Sequence, residues 1–287
     1  MVVDLHTHTT ASDGSLSPLE LVSRAREKGV TLLSVTDHDT VDAYHELRDV
    51  DLPGIQLVPG IELSCQWSGV NIHVLGLGID PDDAGLTEQL QRQRQRRSER
   101  AELIAQRLEK LGIKDCYAGA SRLAEGRAIG RPDFARYMVE AGYVYSMNAA
   151  FDKYLGAGKA GDVKAVWPEL AEVVEWINSA GGIAVLAHPM QYKMTNAKLR
   201  RLLDAFCECG GGGLEVANGR PPLVEQRYLR QLCKEYGLEA SIGSDFHQPN
   251  NWLELGTMIS SLGDCTPVWR RWSQAAADAT VKNEVIV

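Results

Sequence analysis

The chain has 287 residues, 44% of them hydrophobic and 24% charged, and a formal charge of −8. This is ordinary globular composition, which excludes collagen-like repeats, coiled-coil fibres and wholesale disorder. The acidic balance argues against a surface that binds nucleic acid all round, and no apolar run reaches the 18 residues that a membrane helix needs.

In chain order, residues 2–5 form the first strand candidate. Ser17-Pro-Leu-Glu20 is a capping box with Pro at the first helical position, and the helix it opens stops at Gly29. Strand candidates follow at 31–36, 56–61 and 72–76. None alternates polar with apolar residues, which predicts parallel strands covered on both faces. Between about 80 and 166 the rhythm breaks, with helices at 98–111 and 132–141 and no strand of the same kind. Helix 168–180, strand 183–187, helix 199–209, strand 213–216, helix 223–236 and strand 240–242 then alternate. Seven strands with helical crossovers predict an α/β fold, a (β/α) barrel one unit short of eight. Residues 1–80 and 167–287 are assigned to the barrel. Residues 81–166 are assigned to a helical insertion in a βα loop over the active face.

Met1–His8 shows neither a basic n-region nor an apolar core of a signal peptide, and the six cysteines have no regular spacing. Both features predict a cytoplasmic chain with reduced thiols. Charge is unevenly spread. Residues 92–136 hold ten Arg and two Lys against six acids, so this block is +6 and the remainder −14.

Six of the seven histidines fall in or just after predicted strands: His6, His8, His38, His73, His188 and His247. Asp13, Glu62 and Asp245 fall among them, and only His45 is left over. Residues at the C-terminal ends of strands build the active sites of barrels. A lone buried imidazole is usually a hydrogen-bonded core residue, and a single His-x-His is weak evidence. Six at equivalent places, buried together without cations, would be a costly set of unpaired polar groups. Imidazole with carboxylate and no thiolate suits Mn, Fe or Zn. Nine donors exceed the needs of one ion and predict two or three.

These residues resemble the polymerase and histidinol phosphatase (PHP) family of metal-dependent phosphoesterases. The segments that carry the likeness are Asp4-Leu-His-Thr-His8, Ser12-Asp-Gly14, Thr36-Asp-His-Asp39, Gly60-Ile-Glu62, Ile72-His73, Ala187-His-Pro189 and Gly243-Ser-Asp-Phe-His247. They run in the family's order and bracket nearly the whole chain outside the insertion. The resemblance implies a distorted seven-stranded (β/α) barrel and three divalent ions, Mn foremost, with Fe or Zn as alternatives. His6, His8, Glu62 and Asp245 would hold one, and Glu62, His73 and His188 a second, with Glu62 bridging. Asp13, His38 and His247 would hold the third. Histidinol phosphatase members often carry His where this chain has Asp13, so histidinol phosphate fits less well as substrate.

Gly130-Arg-Pro-Asp-Phe-Ala135 and Phe151-Asp-Lys-Tyr-Leu-Gly156 resemble a branch that acts on nucleoside 3′,5′-bisphosphates and on the 5′ ends of short RNAs. The implied activity is removal of the 3′-phosphate from such bisphosphates, turning the adenosine compound into AMP. The alternative is a 5′→3′ exonuclease on short RNA or DNA. No protein partner is evident. A non-catalytic polymerase-accessory module is disfavoured, because all nine ligand positions are filled and no polymerase domain accompanies them.

Three divalent ions against three carboxylates leave roughly +3, which attracts phosphate. Water bridging two ions is acidified to hydroxide near neutral pH and can attack phosphorus in line. No general acid is assigned. Asp37 and Asp39 read equally as partners that orient ligand imidazoles and as loop caps. Arg grips phosphate bidentately, so Arg94, Arg97, Arg100 and Arg131 are the substrate-binding candidates, Arg97 and Arg131 foremost. Lys153 and Lys159 stand behind them. For about half of the twelve basic residues a solvated helix face is the better reading. The P-loop-like run 155–160 has a misplaced glycine and Ala after Lys, which excludes it. Cys207 and Cys209 read as ordinary thiols, and Trp67, Trp167, Trp176 and Trp252 as packing residues rather than base platforms.

Overall fold

The computed structural model describes residues 1–163, 167–249, 253–256 and 262–272; Trp252 lies outside them. Eight strands lie in two sheets. β1 (Val3–Asp4), β2 (Leu32–Leu33) and β3 (Gln56–Leu57) are parallel neighbours. β4 (Gly60–Trp67), β5 (Val70–Leu77), β6 (Ile183–Leu186), β7 (Gly213–Asn218) and β8 (Glu239–Gly243) form the second sheet in that order. This corrects the expected count of seven. Pro59 has no N–H to give a ladder, so run 56–61 is cut into β3 and the start of β4.

The expected parallel order is also corrected. β4 and β5 make an antiparallel hairpin, β5 pairs antiparallel with β6, and only β6, β7 and β8 run parallel in this sheet. The hairpin turns at Ser68 and Gly69, whose φ values of 48° and 71° are those of a type I′ turn. Backbone bonds sew the sheets together near the strand ends. Leu5 N–H donates to Ile242 O at 3.0 Å, Asp245 N–H to His6 O at 2.8 Å, and Asp39 N–H to Glu62 O at 2.9 Å. Gly243 allows the first seam, because a Cβ there would collide with the Cβ and backbone of His6.

The helices of the body are α1 (Pro18–Glu27), which has the expected capping box, and α2 (Asp42–Leu47). The insertion holds α3 (Ala84–Glu109), α4 (Cys116–Ala124), α5 (Arg131–Glu140) and α6 (Met147–Ala150). A π-helical turn, Phe151–Leu155, continues α6. α7 (Leu170–Ser179), α8 (Asn196–Glu208) and α9 (Leu223–Glu235) complete the body. α3 starts well before the expected 98–111. Asp83 caps it by accepting from Leu86 N–H at 2.7 Å, and Gln and Arg are good helix formers.

The length of α3 has a topological cause. Leu77 at the end of β5 pairs with Ile183 at the start of β6. The chain therefore leaves β5 at the end of the sheet opposite the C-terminal ends of β6 to β8. The insertion thus follows an antiparallel strand rather than a parallel βα unit. α3, about 39 Å long at 1.5 Å per residue, carries the chain back to the other end. The insertion has an apolar core of its own, with Leu108, Phe134, Met138 and Leu155 fully buried. Burial of each such side chain contributes about 1.5–3 kcal/mol. Trp67 and Trp176 pack against the larger core of the body. No helix among the described residues is long and apolar enough to cross a membrane.

Candidate metal centre

Five of the six predicted histidine ligands surround Glu62, which is 1% exposed, and Asp245, Asp13 and His247 adjoin them. Its Oε1 lies 2.9 Å from His73 Nδ1 and 2.9 Å from His188 Nε2, which are 3.3 Å from each other. Its Oε2 lies 3.0 Å from His38 Nδ1, 3.3 Å from His8 Nε2 and 3.4 Å from His6 Nε2. Asp245 Oδ1 is 3.3 Å from His8 Nε2 and 3.5 Å from His6 Nε2. Asp13 Oδ1 is 3.3 Å from His247 Nε2, and its Oδ2 is 4.0 Å from His38 Nε2. His45 stands apart near Arg48, as expected.

Glu62 lies within β4, not at the strand end expected for it, and His73 lies within β5, as expected. In the hairpin register His73 pairs with Ser64. His73 is thus a diagonal neighbour of Glu62 on the same face.

The donor set suits divalent cations. His6 Nε2, both ring nitrogens of His8, His38 Nδ1 and Glu62 Oε2 are buried without a hydrogen-bond partner. Adjacent ligands of an ion bonded at about 2.1 Å stand about 3.0–3.4 Å apart, which matches the spacings around Glu62. Donor atoms within 4.8 Å of one another form overlapping groups. His8, Asp13, His38 and His247 make one, and His6, His8 and Asp245 another. His6, Glu62 and His188 make a third, and His38, Glu62 and His73 a fourth.

Charge balance within the cluster points the same way. Burial alone would raise Glu62, but His38, His73 and His6 hold it well below the usual carboxylate range. Asp13 and Asp245 are likewise lowered against burial, chiefly by His247 and His6 respectively. In return His247, despite burial, is pushed up to about 10 by Asp13 and Asp245. Burial lowers His38 and His73. His6, His188 and His247 are instead raised by their carboxylate neighbours against burial, so these imidazoles favour holding protons in the cluster. Metal uptake must displace such protons, so affinity should fall as pH falls. Calorimetric Mn²⁺ titration at pH 7.5 in two buffers of different ionisation heat should show at least about one proton released. Identical heats in both buffers would contradict this.

Glu215 was not foreseen. It is a fully buried carboxylate in β7 whose Oε1 lies 2.9 Å from His6 Nδ1, while Oε2 accepts from His188 N–H at 2.6 Å. It fixes the proton on His6 Nδ1 and turns Nε2 towards Glu62. The one charged residue of β7, set between Leu214 and Val216, was the available signal. Glu215→Gln should weaken Mn²⁺ binding about 10–100-fold with little change in thermal stability; unchanged affinity in a metal titration would refute this.

Among the described residues the carboxylates of Asp37 and Asp39 bond no imidazole. Asp37 accepts from Thr9 N–H at 2.7 Å and from the hydroxyls of Thr9 and Ser12, so it shapes the loop that presents Asp13. Asp39 accepts from Ser64 N–H at 2.8 Å, Gln93 Nε2 at 3.0 Å and Arg97 Nε at 2.6 Å, tying α3 to β4. Asp39, His188 and Asp245 all have positive φ, at 54°, 27° and 57°. Such strained backbone gathers at functional sites.

A cavity of ≈ 240 Å³ joins Asp13 and His38 to Arg94, Arg97 and Arg127 of the insertion. The four predicted arginines differ in their surroundings. Arg94 is exposed on the cavity wall. Arg97 is committed to Asp39 and to Ser64 Oγ at 3.2 Å. Among the described residues the side chain of Arg100, 6% exposed, bonds only Val163 O at 3.3 Å, and that of half-buried Arg131 only Leu155 O at 3.2 Å. Arg97 and Arg100 both lie over the Trp167 ring, at 5.4 and 5.3 Å. Burial, then the charges of Arg131 and Arg97, push Arg100 down to about 9. A guanidinium keeps its proton in a protein, so an anion beside Arg100 would be favoured. Lys153 and Lys159 are exposed. Arg136 was not singled out beforehand, yet its Nη2 donates to Asp13 O at 3.2 Å and joins α5 to the centre.

Comparison with known proteins agrees with this geometry. The PHP domain family model matches residues 4–206. A 5′-3′ exoribonuclease of Haemophilus influenzae is 42% identical over 270 residues, 94% of this chain and 98% of that protein. A 3′,5′-nucleoside bisphosphate phosphatase of Chromobacterium violaceum is 39% identical over 274 residues, 93% of this chain and 95% of the other. A solved structure of an amidohydrolase from Chromobacterium violaceum, with bound SO4 and no metal, has a TM-score of 0.88. It is 37% identical and the match covers 96% of each chain.

Proposed function

The chain belongs to the PHP domain family, and on that premise we propose that it is a cytoplasmic, metal-dependent phosphatase that removes the 3′-phosphate of nucleoside 3′,5′-bisphosphates. One observation carries the reading: a cavity lined by Asp13 and His38 of the donor cluster is walled on its other side by Arg94, Arg97 and Arg127 of the insertion, and among the described residues neither Arg100 nor Arg131 of that insertion forms an ion pair with a carboxylate. One phosphate is cleaved at the donors and the other is gripped by the insertion. Residues 1–80 and 167–287 act as a distorted barrel that carries the donors, and 81–166 as the substrate-binding unit.

His6, His8, Glu62 and Asp245 would hold one ion, Glu62, His73 and His188 a second, and Asp13, His38 and His247 a third. Divalent ions there, Mn foremost with Fe or Zn as alternatives, supply Lewis acidity toward phosphate oxygens and lower the pKa of water. Glu215 and Asp37 keep the donor-bearing segments in place. Arg100 and Arg131 position the distal phosphate, so the scissile one is presented in a fixed orientation. The P–O3′ bond breaks, the oxygen of water joins phosphorus, and the 3′ oxygen leaves with a proton.

The second reading is a 5′→3′ exonuclease on short RNA or DNA, favoured by the 42% identity to the Haemophilus influenzae exoribonuclease. The same P–O3′ bond would break there. Phosphate release by Mn-loaded protein from adenosine 3′,5′-bisphosphate, beside a 5′-phosphorylated ribo-oligonucleotide, tests the two. Fast release giving AMP with the oligonucleotide intact supports the phosphatase. Stepwise release of mononucleotides with equal or greater efficiency supports the nuclease.

A further inference from the structure

The two substrates of the proposed reaction differ only in what else the attacked phosphate carries. In a bisphosphate it carries nothing; in an oligonucleotide it carries the 5′ oxygen of a second nucleotide. Cleavage of a longer strand therefore needs a place for that nucleotide across the donor cluster from the first. A second cavity, of ≈ 160 Å³, meets the cluster at His188 and Glu215 and shares no wall residue with the cavity at Asp13 and His38. It lies between the turn Pro189–Tyr192 after β6 and the segment that joins β7 to α9. Both leave parallel strands at the same end, the end that carries His188.

The chemistry of its walls suits a nucleotide. Met190, Pro221 and Leu229 give apolar surface for a sugar and base. Gln191 Nε2 donates to Asn218 Oδ1 at 3.0 Å and lies 3.4 Å from Asp245 Oδ2, so the polar edge reaches the donor cluster itself. Arg220 on the rim is exposed and makes no hydrogen bond or ion pair among the described residues, with Glu225 of the same rim included. The exposed side chains of Leu223 and Val224 stand beside it at the start of α9.

Resting on the phosphoesterase reading above, we propose that this cavity receives the nucleotide on the 3′ side of the cleaved bond and that Arg220 contacts the next phosphodiester. The site would serve the second of the two readings above, cleavage of short 5′-phosphorylated oligonucleotides, at the same donor cluster. The test compares wild type, Arg220→Ala and Arg220→Lys on adenosine 3′,5′-bisphosphate and on a 5′-phosphorylated triadenylate. For the trinucleotide, Arg220→Ala should lower kcat/KM about 10-fold, the loss of one charge-assisted contact. Its log–log salt slope should fall by about 0.7, the value for one phosphate on a single strand. Arg220→Lys should recover the slope, and the bisphosphate should change less than about twofold in every variant. Equal losses on both substrates, an unaltered trinucleotide rate, or a wild type that cleaves the bisphosphate alone would each overturn the inference. A wild type inactive on both removes the phosphoesterase reading itself, and the inference with it.

Discussion

Glu62→Gln is expected to cost the protein bound metal and at least about 10³-fold in phosphate release. The two carboxylate oxygens of Glu62 face different partners. Oε1 lies between His73 and His188, while Oε2 lies against His38, His8 and His6. Glutamine keeps the shape but removes the charge and replaces one oxygen with an NH2 that cannot ligate a cation. Two groups of donors lose their shared anion at once, which no other single change in the cluster does. A 10³-fold loss corresponds to about 4 kcal/mol of transition-state stabilisation. Elemental analysis of purified protein should show less metal per chain than wild type, with a folded circular dichroism spectrum. Asp37→Asn is the contrast, since among the described residues the Asp37 carboxylate bonds only Thr9 and Ser12, and the change should cost far less. Full metal content with activity within tenfold of wild type would refute the central place of Glu62.

The donor cluster was legible before the fold because its residue types are rare and chemically narrow. His6 and His8 two apart at a strand end, and Asp245 with His247 at another, need no knowledge of long-range pairing. Glu215 depends on such knowledge: its partner His6 is 209 positions away and nothing local links them. The same limit hid the antiparallel hairpin. An apolar run is equally compatible with parallel and antiparallel neighbours, although Ser68-Gly69 between β4 and β5 was a readable turn. Pro59 marked the division of β3 from β4 and was passed over. The basic block was legible as charge but not as geometry. Arg97 and Arg131 stood foremost together, yet Asp39 already satisfies Arg97, and the burial of Arg100 against the Trp167 ring is visible only in the folded insertion.

That difference among the arginines fixes the second large effect. Arg131→Ala should raise KM for adenosine 3′,5′-bisphosphate about 30–1,000-fold and that for a generic aryl phosphate less than about threefold. The range is the 2–4 kcal/mol of a largely desolvated charged contact. Arg131 is the better probe because among the described residues its side chain makes one hydrogen bond, to Leu155 O at 3.2 Å, with Phe151 beneath it at 6.0 Å. Truncation leaves no carboxylate unpaired, so the change should act on the ligand rather than on the scaffold. Arg97→Ala behaves differently in this account. It strips Asp39 of the shortest of its hydrogen bonds, loosens α3 from β4, and should slow both substrates together while lowering the melting temperature. Steady-state kinetics on the two substrates, with melting curves for each variant, separate gripping from scaffolding. If Arg131→Ala raised KM equally for both substrates, Arg131 would be a strut for the π-helical turn, and the second phosphate would have to be held elsewhere, Arg94 on the cavity wall being the next candidate.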